Sequence, residues 1–222
     1  MIDIEKYLEL LIDKLRMTFA NRLVYVGLLG SYLRGEATSD SDIDIMVVID
    51  TLSVSDLVSY RNIIKSLGNY EKSCGFICSK EDLSCWNPLE ICHLVNSTKD
   101  YYGELKPLVP AYTDEDIRCF VKLSINNMYH ELCHRYIHAD LRKNTTSLPG
   151  TYKGVFFILQ NLYYLQRKEF FGTKAELLRI AGDKDRAVLQ RSIELNAGVP
   201  YDFQDCFSLL FSWCQETLRS LS

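Results

Sequence analysis

The sequence predicts an α/β N-terminal domain, residues 1–110, joined to an all-helical C-terminal domain, residues 111–222. Three observations carry this. Two short β-branched and aromatic runs, LVYVGLL (23–29) and IDIMVVI (43–49), lie in the first half among stretches of helical period. The second half shows long helical periods opened by capping patterns. Between them, residues 80–112 hold Trp86, Pro88, Pro107 and Pro110 and no long period, which marks short elements leading to a linker near 106–113.

In order along the chain, Ile4, Leu8, Leu11, Leu15 and Phe19 fall on one helical face. LVYVGLL and IDIMVVI then read as buried strands. Ser53 or Ser55 caps a helix through Leu57, Tyr60, Ile64 and Leu67, and Gly68 ends it. NYEKSCGFICS (69–79) is a third strand, parallel to the second if the intervening helix makes a crossover. Thr113 with Asp116 opens a long helix reaching Ala139. LRKNTTSLPG (141–150) reads as a loop, with Thr151 opening the next helix through FFILQNLYYLQRK. Thr173 with Glu176, then Asp183 and Asp202, cap the remaining helices.

The chain has 222 residues, 47% of them hydrophobic, enough for one substantial core or two small ones. No stretch approaches the roughly 20 apolar residues of a membrane span. The charged N-terminus MIDIEKYLELLIDKLRMTF is not a signal peptide, so a cytoplasmic protein without a membrane partner is expected. The eight cysteines form no paired zinc pattern and are expected as reduced thiols. A net charge of −4 does not suit a nucleic-acid binder. There is no phosphate-binding GKS or GKT and no segment of kinase type.

The stretch GSYLRGEATSDSDID (30–44) holds the chemistry. Gly30 permits a tight turn after a strand and leaves room for a phosphate, and Ser31 can open a short helix whose backbone N–H groups face outward. If the segment from Asp42 onward is a strand, Asp42 and Asp44 project from one face. Two carboxylates so close repel unless a cation sits between them. Hard oxygen ligands select Mg²⁺, which also holds substrate phosphates. A phosphate cradle beside such a pair suits phosphoryl or nucleotidyl transfer.

The run LLGSYLRGEATSDSDIDIMVVI resembles the signature of the nucleotidyltransferase superfamily: a strand, Gly-Ser, about ten residues, Asp-x-Asp and a second strand. The α/β-then-helical layout resembles most the antibiotic nucleotidyltransferases, whose C-terminal helices help bind substrate. The resemblance implies a mixed sheet, an NTP donor (ATP foremost) and two Mg²⁺ ions. Asp42 and Asp44 would bind both metals and act in catalysis, and Gly30, Ser31 and Ser41 would hold the nucleotide. It also implies a third carboxylate on a neighbouring strand. Glu71, near the start of the third strand, is the candidate, an exposed strand-end charge being the alternative; Glu90 and Asp100 stand outside. A lysine of the helical domain would reach the triphosphate, with Lys153, read as lying in the first turn of its helix, ahead of Lys174.

The activity implied is transfer of a nucleoside monophosphate to a hydroxyl of a small molecule such as an aminoglycoside or lincosamide. The alternatives are nucleotidylation of a protein partner, as in minimal nucleotidyltransferase antitoxins, and a catalytically weak nucleotide-binding regulator. The oligomeric state stays open, a homodimer included. His130, His134 and His138 share a helical face, but a zinc site needs a further ligand, so packing or substrate contact is the reading. Arg34 reads as a solvated charge.

Overall fold

Residues 2–221 are described in the computed structural model, and the chain divides into two units, Met1–Ala111 and Tyr112–Ser222. In the first, Asp3 caps α1 (Ile4–Phe19) by accepting from the Lys6 N–H, and Leu8, Leu11, Leu15 and Phe19 are buried on one face. Then follow β1 (Leu23–Leu28), α2 (Gly30–Arg34), β2 (Ile43–Ile49), α3 (Val54–Ser66), β3 (Ser73–Ser79), α4 (Lys80–Ser84), α5 (Pro88–Asn96) and β4 (Lys99–Tyr102). Ser53, not Ser55, caps α3, in a reciprocal capping box with Asp56.

The sheet is mixed, in the order β3-β2-β1-β4. β1 runs antiparallel to both β2 and β4, and β2 runs parallel to β3. The crossover through α3 therefore has the expected consequence. β4, with the sequence KDYY, was not legible as a strand: it is a four-residue edge strand with no buried residue, so it carries no apolar run. Side chains alternate across the sheet. Val26, Leu28, Ile43, Ile45, Val47 and Ile49 pack with α1 and with Ile63 of α3. Tyr25, Met46, Val48 and Cys78 pack on the other face with Leu83 and Leu105.

The second unit is all helical: α6 (Asp114–His138), α7 (Leu141–Arg167), α8 (Lys174–Ile180), α9 (Asp183–Asn196) and α10 (Phe203–Ser220). The Thr113–Asp116 and Thr173–Glu176 capping boxes form, and Asp202 caps α10. Gly182, rather than Asp183, is the cap of α9. The core is built on α7, with Tyr152, Val155, Phe156, Leu159 and Leu162 buried against Val121 and Ile125 of α6, Leu189 of α9 and Leu210 of α10.

One expectation is overturned. Residues 141–150 are not a loop but the first turns of α7, which runs through Pro149. Asp140 caps the helix by accepting from the Lys143 N–H at 2.8 Å. Asn144 turns its amide back to donate to the Arg135 carbonyl at 2.9 Å, at the end of α6. Pro149 supplies no N–H to the Thr145 carbonyl one turn earlier. That carbonyl instead accepts from the Tyr201 hydroxyl, so the helix continues past the proline. Removing this donor in Tyr201→Phe leaves the carbonyl unpaired and should cost about 1–2 kcal/mol of stability. In a Pro149→Ala background, where the backbone donor is restored, the same change should cost much less. Urea unfolding of the four proteins of this double-mutant cycle measures the difference.

Candidate active site

The site is built where β1 and β2 lie side by side. The Leu29 N–H donates to the Asp44 carbonyl at 2.9 Å, extending the ladder beyond Leu28 and Ile45. Gly30 then turns away at φ +71°. A Cβ there would lie 1.9 Å from Asp44 Oδ2. The position therefore demands glycine on two counts, left-handed backbone and lack of space. It also fixes the distance between the turn and the carboxylate: they touch.

α2 starts at Gly30 with no side-chain cap, so the N–H groups of its first turn are open to a ligand. It closes at Gly35, after which the Glu36 N–H donates back to the Ser31 carbonyl at 2.9 Å. The loop to β2 is knitted by Ser41, whose Oγ accepts from the Thr38 N–H at 2.8 Å. Ser41 thus holds the turn before Asp42 as well as standing beside it. Lys72 ties the same loop to the entrance of β3 by donating to the Ser39 carbonyl.

Asp42 is exposed and Asp44 half-buried. Burial pushes the Asp44 carboxyl above its usual range and the Asp42 charge adds to this, while a hydrogen bond from the Cys74 thiol and the Arg34 charge pull it down. Arg34 is not the solvated charge its sequence suggests. Its side chain is 16% exposed and pairs with Glu36 at 3.1 Å, and its field reaches both Asp44 and His93. Five residues after Ser31 in sequence, Glu36 anchors this arginine; only the fold reveals the pairing.

On the other side of the pair, the parallel register sets Ser73 beside Ile43 and Cys74 beside Asp44. Gly75, at φ +103°, allows β3 to close on β2, since a Cβ there would lie 2.0 Å from the Ile45 carbonyl oxygen. Glu71 falls in the 3₁₀ turn Tyr70–Lys72 before the ladder begins, and it is exposed. It is not among the groups that act on Asp44. Asp100 sits on β4, where it accepts from the Tyr25 hydroxyl at 2.6 Å, and Glu90 accepts from the Trp86 indole N–H at 2.6 Å. The structure therefore brings together Gly30, Asp42, Asp44, Arg34 and Cys74, with Ser31 in the adjoining turn, while Glu71 stands before the ladder begins.

Lys153 lies in the middle of α7, not in a first turn, because the helix begins at Leu141. The dipole argument that singled it out therefore fails; its side chain is exposed. Lys174, at the start of α8, places its ammonium 5.6 Å from the centre of the Phe156 ring. His130, His134 and His138 do stack along α6, with ring centres 6.0 and 4.8 Å apart. All eight cysteines are free thiols.

Among the described residues, no group of three His, Cys, Asp or Glu side chains is arranged to hold a metal ion. Mg²⁺ needs fewer protein ligands than that, because it binds through one or two carboxylates together with substrate phosphates. The Asp42–Asp44 pair, in which burial and the Asp42 charge raise the Asp44 pKa, is a hard-oxygen donor set that fits it. No helix among the described residues is long and apolar enough to cross a membrane.

A strand, a Gly-Ser turn and a carboxylate pair on the adjoining strand thus stand together at one end of the sheet. Residues 9–101, within the N-terminal unit, match the family model of the nucleotidyltransferase domain. The whole chain is similar in fold to spectinomycin adenyltransferase AAD(9) from Enterococcus faecialis, solved with ATP and spectinomycin. That likeness has a TM-score of 0.61 at 12% identity and covers 97% of this chain and 99% of the other. A toxin–antitoxin structure with AMP-PNP aligns over 57% of this chain and 91% of the other, at 24% identity and a TM-score of 0.30, too low to bear on the fold. No curated protein matches the sequence.

Two outcomes follow. Gly30→Ala should keep the helical unit folded but weaken nucleotide binding about tenfold or more, since relieving the clash moves either the turn or Asp44; titration with a fluorescent ATP analogue measures this. His93 is held neutral by burial, then by the Arg34 charge, with its pKa lowered to about 4. The unfolded imidazole takes up its proton near pH 6.5, the folded one only near 4. Between these values the unfolded chain binds more protons, so stability should be full above pH 6.5 and decline toward pH 4, by about 3 kcal/mol at most. Urea unfolding across this window should show a flatter dependence for His93→Gln.

Proposed function

We propose that this protein transfers a nucleoside monophosphate from an NTP, ATP foremost, to a hydroxyl of a small molecule. The acceptor class favoured is an antibiotic of aminoglycoside or lincosamide type. The observation that carries the reading is the contact of the Gly30 turn with Asp44: a turn suited to a phosphate and a carboxylate pair share one end of the two central strands. The fold likeness to an adenyltransferase spans the helical unit too, which supports reading 112–222 as part of the transferase.

In this reading the first-turn N–H groups of α2 and the Ser31 hydroxyl hold the triphosphate. Gly30 lets the phosphates approach the backbone. Asp42 and Asp44 would hold Mg²⁺, which when bound supplies the positive charge that offsets charge developing on the transferring group. The Cys74 thiol and, to a lesser degree, the Arg34 charge oppose the burial that raises the Asp44 pKa. The loop 36–42, tied by Ser41 and Lys72, fixes Asp42 relative to the turn, so that little ordering remains to be done when the nucleotide binds.

One observation favours a second reading, a nucleotide-binding protein with weak transfer: β3 sets Cys74, not a carboxylate, beside Asp44. The two readings separate in one experiment. Each NTP, labelled at the α-phosphate, is offered with Mg²⁺ to the protein together with pooled aminoglycosides and lincosamides, and with a cell extract. Label on a small molecule, abolished in Asp42→Asn with Asp44→Asn and kept within about twofold in Glu71→Gln, is the expected result. Nucleotide binding without any transfer would establish the weak-transfer reading instead, and label on a protein band would make the acceptor a protein.

A further inference from the structure

We propose that the acceptor enters over the start of β3 and is held there by Phe76, Trp86 and Glu90, an aromatic wall with a carboxylate that selects a cationic hydroxyl compound. The proposal rests on the nucleotidyl-transfer reading of the Asp42–Asp44 site. Sheet order sets the direction of approach. The Gly30–Ser31 turn follows β1, the carboxylate pair opens β2, and β3 lies on the far side of that pair. In-line displacement puts the attacking and leaving oxygens on opposite sides of the phosphorus. The acceptor oxygen bonds to the α-phosphorus as the bond to the α–β bridging oxygen breaks. Pyrophosphate leaves with that electron pair, and the hydroxyl proton passes to water. With the pyrophosphate held at the turn after β1, the attacking hydroxyl arrives from the β3 side.

The residues standing on that side follow from the register. Asp44 is beside Cys74 and Met46 beside Phe76, so Cys74 and Phe76 share the face of Asp44. Ser73 turns to the opposite face, where its Oγ lies 3.1 Å from the Tyr7 hydroxyl. Phe76 is about 7 Å along the strand from Cys74. Its ring stacks on Trp86, with centres 5.7 Å apart and planes at 16°, and both side chains are only half-buried. The Trp86 indole N–H donates to Glu90 Oε2 at 2.6 Å, which fixes the ring and places a carboxylate at its edge. Glu90 itself is exposed.

A fixed, partly open tryptophan face beside an exposed carboxylate is the chemistry that recognises an ammonium or guanidinium group. A carboxylate's charge favours a cationic group over a neutral nucleobase, which can offer it only N–H donors. The charge balance agrees: Lys80 is the single cation among residues 80–90, against Glu81, Asp82 and Glu90. Cys74 lies between this wall and Asp44, a small side chain that leaves the acceptor's path open.

Trp213 is the second of two tryptophans, so a Trp213→Phe background makes Trp86 the reporter. With the protein saturated by Mg²⁺ and a non-hydrolysable ATP analogue, spectinomycin, kanamycin and lincomycin are titrated as amine probes and myo-inositol as a neutral one. At least one amine should quench Trp86 saturably, and inositol should not. Glu90→Gln, a change on an exposed side chain, should weaken that amine about tenfold or more while leaving binding of a fluorescent ATP analogue unchanged. Nucleotide binding with no amine response, or an amine affinity unaltered in Glu90→Gln, would overturn the subsite and leave the transfer reading standing. Failure of the unaltered protein to bind the ATP analogue would sink the transfer reading and the subsite together.

Discussion

The close approach of Gly30 to Asp44 is the constraint on which the rest of the site depends. The β1–β2 ladder ends with the Leu29 N–H on the Asp44 carbonyl, and the next residue must leave the sheet without a side chain. Glycine alone fits, since a Cβ would meet Asp44 Oδ2 at 1.9 Å. The strained, left-handed turn is held by the ladder on one side and by α2 on the other. The backbone of the Gly30 turn and the Asp44 carboxylate thereby become neighbours through main-chain geometry, and no flexible side chain has to set their spacing.

Electrostatics make that juxtaposition unstable without a ligand. Burial and the neighbouring Asp42 both disfavour ionised Asp44, and the Cys74 hydrogen bond and the Arg34 charge offset them only in part. Arg34 is itself steadied by Glu36, and its charge in turn helps keep His93 neutral. Under the proposed function, a cation with a polyanionic substrate would resolve the remaining conflict and place binding energy where the chemistry is needed. Cys74 stands beside Asp44 as a hydrogen-bond donor rather than as another negative charge, which limits the repulsion around the carboxylate pair.

The helical unit solves a different problem: burying long helices whose polar groups lie deep. Asp185 of α9 accepts from the Trp213 indole N–H of α10 at 2.8 Å and from the Tyr163 hydroxyl of α7 at 3.0 Å. The same tyrosine oxygen accepts from the Gly182 N–H, at the start of α9, at 2.8 Å. Tyr152 and Ser192 exchange similar bonds with backbone carbonyls across the core. These bonds specify how α7, α9 and α10 meet, since each buried polar group would be costly if the helices shifted.

Sequence alone determined the elements that local physics controls. α1, β1, β2 and the Thr113, Thr173 and Asp202 caps were legible because their signals are periodicity and capping chemistry, and Gly30, Ser31, Asp42 and Asp44 stood out by fixed spacing within some fifteen residues. Tertiary structure decided what depends on distant partners. Residues 141–150 look like a loop because Pro149 and polar residues crowd there, and they are helix because Tyr201, fifty-six positions from Thr145, supplies the missing donor. β4 exists because β1 offers an edge, not because KDYY favours a strand. Glu71 was singled out by its nearness in sequence to β3, yet the parallel register puts Cys74, three residues later, beside Asp44. Register is a property of two strands together, and a one-residue change in it turns every side chain to the opposite face; no reading of either strand by itself can fix it.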